Sequence, residues 1–177
     1  MSIVGYKDAL IEANDKLGQN KNTRFIGYGL KRGRALGTLK NIEQDQIIET
    51  PVAENLMAGL AIGLSLKGYC PVVFIERMDF ILNAMDAIVN HLDKINDISR
   101  GEFKPAVIFR CVVGNYQKPL YTGITHTQDF SEALRCLLTF PVIQLKTTGD
   151  ISKAYIYAEE QQNKGTSSVL VEYKDLI

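Results

Sequence analysis

The chain has 177 residues, 46% of them hydrophobic, and its 20 basic side chains are balanced by 20 acidic ones. A chain of this length is expected to form one domain over residues 1–177, burying roughly 70% of its extended surface, and 23% charge with only five prolines excludes disorder. Without surplus cations there is no general electrostatic grip on nucleic acid or anionic lipid, so neither is expected as a partner.

The first eight residues, Met1 to Asp8, lack the basic-then-apolar run of a secretory signal. The longest apolar stretch, Leu56 to Leu66, is about half a membrane span and contains Ser65, so no membrane association is expected. Cys70, Cys111 and Cys136 form no CxxC pair, and His91 and His126 are the only imidazoles, so no metal ligands are assigned. Buried, reduced thiols in a cytoplasmic protein are expected.

In chain order, Ile3, Tyr6, Ala9, Leu10, Ala13 and Leu17 recur at spacings of three and four, predicting an amphipathic helix over 3–17. Arg24–Tyr28 reads as a short strand, 29–45 as an irregular loop, and Gln46–Glu49 as a second strand. Thr50 and Pro51 are the N-cap and first-turn residues of a helix that runs to Lys67 and stops at Gly68. Pro71–Ile75 is a continuous apolar strand. Asp79 can cap a long helix with Phe80, Ala84, Ile88, Val89, Leu92 and Ile95 on its inner face. Ala106–Phe109 is another apolar strand, followed by a loop from Gly114 to His126. Asp129 and Glu132 fit a capping box opening a helix through Leu138. Val142–Leu145, a helix over 151–163 and Ser168–Val171 complete the series.

Strands without polar interruption are covered on both faces. The expected fold is therefore α/β, a three-layer sandwich around a mostly parallel, doubly wound sheet, with any ligand at the carboxyl ends of its strands. The sequence shows no repeat or linker, and no GxGxxG, GxxxxGK[ST] or GxSxG motif.

Three features remain as candidates. Glu54 sits early in the helix after Thr50-Pro51. Either it only complements the helix dipole, or Val52 and Leu56 partly desolvate it, raising its affinity for a proton and suiting it to exchange with a heterocycle nitrogen. Gly59 and Gly63 lie four apart on one helical face, each costing about 1 kcal/mol relative to Ala. A close backbone neighbour, from the domain's own sheet or from a second subunit, would explain them. His126 lies after a strand and just before a helix N-terminus, which favours a neutral imidazole near pH 7. It is either an ordinary hydrogen-bonding residue or part of a ligand site. His91 reads as packing or interface.

The segment ETPVAENLMAGLAIGLSLKGYCPVVFIERMDFILNAMDAIVNHLDKI, residues 49–95, resembles the beta subunit of the dehydrogenase component of 2-oxo acid dehydrogenase complexes. More distantly it resembles the pyrimidine-binding domain of transketolases. Arg110 after a strand, His126-Thr127-Gln128, Pro141-Val142 and Val171–Lys174 follow the same order. The resemblance implies a thiamine diphosphate-binding fold and cofactor. By that resemblance, Glu54 hydrogen-bonds a ring nitrogen of the aminopyrimidine and promotes the imino tautomer that deprotonates the thiazolium carbon. Phe80 stacks on the pyrimidine, Val52 forms an apolar wall, and His126 stands at the reaction end of the cleft. The substrate would be a 2-oxo acid or a ketose.

The sequence also departs from the family. The usual acidic segment after the first strand reads Gly27-Tyr28-Gly29, and 30–45 match poorly. A further C-terminal domain common in the beta subunits has no counterpart before Ile177, and no Gly-Asp-Gly with a downstream Asn occurs. The resemblance thus implies a pyrimidine-binding, proton-relay subunit that is inactive alone. A separate chain would hold the diphosphate and Mg2+, in a homodimer or a two-plus-two heterotetramer closed by Gly59 and Gly63. The alternative is a non-catalytic scaffold or regulatory binding module that keeps the fold and its interface.

Overall fold

A computed structural model describes residues 5–118 and 123–177. Its core is one six-stranded sheet in which every pairing is parallel, in the order β2-β1-β3-β4-β6-β5. The strands are β1 (Thr23–Gly27), β2 (Ile47–Glu49), β3 (Cys70–Ile75), β4 (Ile108–Val113), β5 (Val142–Gln144) and β6 (Ser168–Tyr173). On one face, α3 (Glu54–Leu66), α5 (Ser131–Leu137) and the segment 78–92 pack on Ile26, Val73, Phe109 and Val171. On the other, α1 (Tyr6–Gln19), α2 (Leu30–Gly37) and α6 (Thr148–Asn163) cover Phe25, Val72, Ile108 and Leu170. Alternate residues of each strand thus feed opposite cores, as the apolar runs require. Chain direction across the sheet reverses twice, between β1 and β3 and between β4 and β6, and the carboxyl edge at such reversals opens a crevice.

Several local expectations change. Ile3 lies outside the described residues, and α1 begins at Tyr6. Thr50 does not cap α3: its N–H donates to Gly27 O at 3.0 Å, extending the β1–β2 ladder, and the helix starts at Glu54 behind Ala53. Its end is as read, with Gly68 at φ +85° and the Tyr69 N–H returning to Leu64 O. The segment read as a loop contains α2, whose first turn receives the carboxylate of Glu49: Oε1 accepts from Gly29 N and Oε2 from Lys31 N. Within α2, Arg34, Ala35 and Leu36 are left-handed, a conformation costing roughly 1–2 kcal/mol per residue.

The Asp79-capped helix is replaced by a 3-10 helix over Met78–Ala84, a π-helix over Asp86–Leu92 and the short α4 (Ile95–Ile98). The N-cap of α5 is Phe130, and Asp129 stands one residue before it, accepting from Ser131 N and Oγ; no box forms with Glu132, which pairs with Arg135. A true capping box opens α6, between Thr147 and Asp150. Of the cysteines only Cys111 is buried; Cys70 is intermediate and Cys136 exposed, and all three are free. His91 is exposed, with Nε2 3.5 Å from Asp86. Among the described residues, no helix is long and apolar enough to cross a membrane.

Beneath the sheet's second face lies a fully buried ion pair. Arg110 donates through Nε and Nη2 to the two carboxylate oxygens of Glu172, at 2.7 and 3.1 Å, and Tyr155 OH donates to the same carboxylate. Arg110 Nη2 also reaches Thr38 Oγ1 at 2.9 Å, tying α2 to the centre of the sheet.

Candidate active site

The carboxyl edge of the sheet brings three of the four predicted side chains onto connected elements. Glu54, first residue of α3, is only 3% exposed. Its Oε2 accepts from Asn83 Nδ2 at 3.3 Å, while Oε1 is buried without a hydrogen-bond partner among the described residues. A buried carboxylate oxygen lacking a donor is costly, and here it marks a position suited to a donor from outside the chain. Residues three apart eclipse on a 3-10 helix, so Phe80 shares with Asn83 the face that meets Glu54. The ring of Phe80 stands edge-to-face with the imidazole of His126, centroids 5.0 Å apart and planes at 89°.

The surroundings differ from expectation in one respect. Val52 is 71% exposed and Leu56 is also exposed, so neither is part of a closed apolar wall within this chain. The neighbours of Glu54 are Asn83 and, electrostatically, Tyr28, whose hydroxyl is pushed up to about 12 by burial and by the charges of Glu76 and Glu54. Gly59 and Gly63 are exposed, and a Cβ at either would meet nothing within 4 Å. The domain's own sheet is therefore not a close neighbour of either glycine.

His126 ends a 3-10 turn, Gly123–His126, and its Nδ1 lies 3.1 Å from Thr125 Oγ1. Gly114, just after β4, passes so near that a Cβ there would lie 1.8 Å from His126 O. Below the imidazole, Arg77, Lys118 and Lys174 line a cavity of about 200 Å³ with Gly114, Asn115 and Thr127. Arg77 is buried and engages Glu76 through Nη1. Burial and the neighbouring cations Arg77 and Lys7 push the Lys174 ammonium below its usual range. Among the described residues that line the cavity, three are cationic and none is acidic. The Asn83 contact, the cationic lining and the Gly114 approach were not anticipated. Asn83 stands one 3-10 turn beyond Phe80.

A six-stranded parallel, doubly wound sheet with helices on both faces defines a three-layer α/β domain. The sequence matches the family described as "Transketolase, pyrimidine binding domain" over residues 4–176, and the chain belongs to that family.

Among curated relatives, the mitochondrial pyruvate dehydrogenase E1 component subunit beta of Saccharomyces cerevisiae is 34% identical over 95 residues, 54% of this chain and 25% of that protein. The 2-oxoisovalerate dehydrogenase subunit beta of Bacillus subtilis is 27% identical over 136 residues, 73% of this chain and 40% of that protein. The chain thus spans less than half the length of these relatives. A solved structure described as "Split gene transketolase, inactive beta4 tetramer" superposes with a TM-score of 0.68 at 17% identity, covering 93% of this chain and 49% of that one. It shares the fold.

Proposed function

We propose that this chain is the pyrimidine-binding, proton-relay subunit of a split thiamine diphosphate-dependent enzyme, acting on a 2-oxo acid or a ketose. The observation that carries the reading is the buried Glu54 with one oxygen unpartnered and the other fixed by Asn83. That arrangement fits a ring nitrogen able to share a proton with the carboxylate. When bound, the cofactor supplies a carbon nucleophile generated by proton loss from its thiazolium ring.

The chain's own residues have distinct tasks. Glu54 holds a proton at Oε1, and Asn83 keeps that oxygen aimed by occupying Oε2. Phe80 offers an aromatic face for a flat heterocycle. His126, above the cationic cavity, orients the reacting group, and Arg77, Lys118 and Lys174 suit a substrate carrying a carboxylate or phosphate. Val52, exposed here, meets the cofactor as a wall only when the cleft is closed by another chain. In this reading the diphosphate and Mg2+ are held by a partner chain, since residues 1–177 contain no Gly-Asp-Gly with a following Asn to hold them; a further domain of the same chain would serve equally. The bare strip at Gly59 and Gly63 supports assembly as a homodimer or two-plus-two heterotetramer.

The test is Glu54→Gln, reconstituted with a diphosphate-binding partner. An amide cannot exchange the proton, so turnover should fall by about 10²–10⁴-fold with the fold intact. Full activity would refute the assignment. Calorimetric titration with thiamine diphosphate and Mg2+, with and without the partner, separates this from the scaffold alternative: binding in neither condition would favour a scaffold.

A further inference from the structure

We propose that Asp79 is a positioning residue that holds His126 against the Phe80 ring, acting through Gln128. The role rests on the catalytic reading of His126 given above, but its geometry is independent of any cofactor. Asp79 is buried, second in the 3-10 helix that bears Phe80. Its Oδ1 accepts from Gln128 Nε2 at 2.9 Å and from Gln128 N at 3.4 Å. Gln128 lies two residues beyond His126.

Two segments must be kept in register for the Phe80–His126 contact to persist, 78–80 and 126–130. Among the described residues only two polar links join them: Asp79 to Gln128, and a weak contact from Phe130 N to Met78 Sδ at 3.4 Å. The imidazole's own polar contact is to Thr125, its neighbour in the chain, at 3.1 Å. Gly114 meets the His126 backbone from the β4 side, at its carbonyl group and not at the ring. Both donors of Gln128 end on the same atom, Asp79 Oδ1, so the tie depends on that acceptor. Burying this carboxylate also leaves Oδ2 without a partner among the described residues, an expense a purely local turn does not require.

The experiment uses the chain alone, because its two histidines are separately observable. The ring current of Phe80 displaces the His126 imidazole resonances, and Phe80→Leu gives the value without that contact. His91, exposed and paired with Asp86, is the internal control. Asp79→Ala and Gln128→Leu should each move the His126 resonances toward the Phe80→Leu values and leave those of His91 in place. Asp79→Asn, which keeps the Oδ1 acceptor, should leave both histidines near the parent.

Gln128 is exposed, so its variant folds even if Asp79→Ala does not. Unmoved His126 resonances in folded Gln128→Leu or Asp79→Ala would overturn the proposal. In the reconstituted enzyme the same variants should lower kcat about tenfold with the cofactor KM unchanged, and Asp79→Asn should restore it; a parental kcat in Gln128→Leu would also overturn the catalytic role. If thiamine diphosphate binds no form of the protein while the resonances shift as stated, the cofactor reading fails and the positioning geometry stands.

Discussion

Gly114→Ala puts the close approach of two backbones to the test. The added methyl would lie 1.8 Å from His126 O and 3.0 Å from its carbonyl carbon. Real Cβ atoms essentially never come closer than 3.0 Å, so the two segments must part by at least about 1.2 Å. Both contacting atoms are main chain, and no rotamer change can relieve the clash. β4 is hydrogen-bonded on both sides, to β3 and to β6, so the displacement falls on the Gly123–His126 turn.

A crowded insertion of this kind costs about 1–3 kcal/mol, equivalent at roughly 2–4 °C per kcal/mol to a Tm lowered by several degrees. A misplacement near 1 Å at a positioned group can cost about 10² in rate. Thermal unfolding of the isolated chain, its His126 resonances and kcat of the reconstituted enzyme report the three consequences. An alanine variant with parental His126 resonances and kcat within twofold of the parent would refute the reasoning.

The helix strip and the buried pair give two more expectations. Gly59→Ala should stabilise the isolated chain by about 1 kcal/mol, since nothing crowds the site and Ala is the better helix former. Gly59→Leu with Gly63→Leu should instead shift the assembly toward smaller species in analytical ultracentrifugation; an unchanged assembly would place the interface elsewhere. Glu172→Ala strands the buried Arg110 guanidinium and should cost about 3–5 kcal/mol in urea unfolding. Arg110→Met with Glu172→Leu should recover most of that loss, and a single-variant cost below about 1 kcal/mol would show the pair to be solvated.

The sheet was legible because Pro71–Ile75 and Ala106–Phe109 are apolar without interruption, as a strand covered on both faces requires; β4 itself, however, runs from Ile108 through Arg110 to Val113, the arginine lying inside the strand and not after it because Glu172 pairs with it. Motif resemblance, not spacing, singles out Glu54 and Phe80 as candidates, since an acid in a first helical turn is common. The misread segment carried its own cue. Met78, Ile81 and Ala84 are buried at intervals of three, then Ala84, Ile88 and Leu92 at intervals of four. Averaged together these mimic the α-helical period; taken separately they trace the 3-10 and then the wider winding. Other features had no local trace. Glu49 closes the start of α2 from 18 to 20 residues away, and the left-handed run Arg34–Leu36 uses residue types that ordinarily avoid that conformation. Thr50 has the composition of a cap, but the β1–β2 ladder claims its N–H.

The change of winding within 78–92 makes the count of residues there as binding as their chemistry. Tightening over Met78–Ala84 is undone by loosening over Asp86–Leu92, which is how one apolar stripe stays on the sheet through both. Deleting a single residue from the tight part would swing everything before it by about a third of a turn, carrying the Phe80 ring away from His126 while Leu92 stayed seated. Homologous chains that preserve this ring should therefore keep gaps out of the stretch altogether, even where most of its side chains have changed.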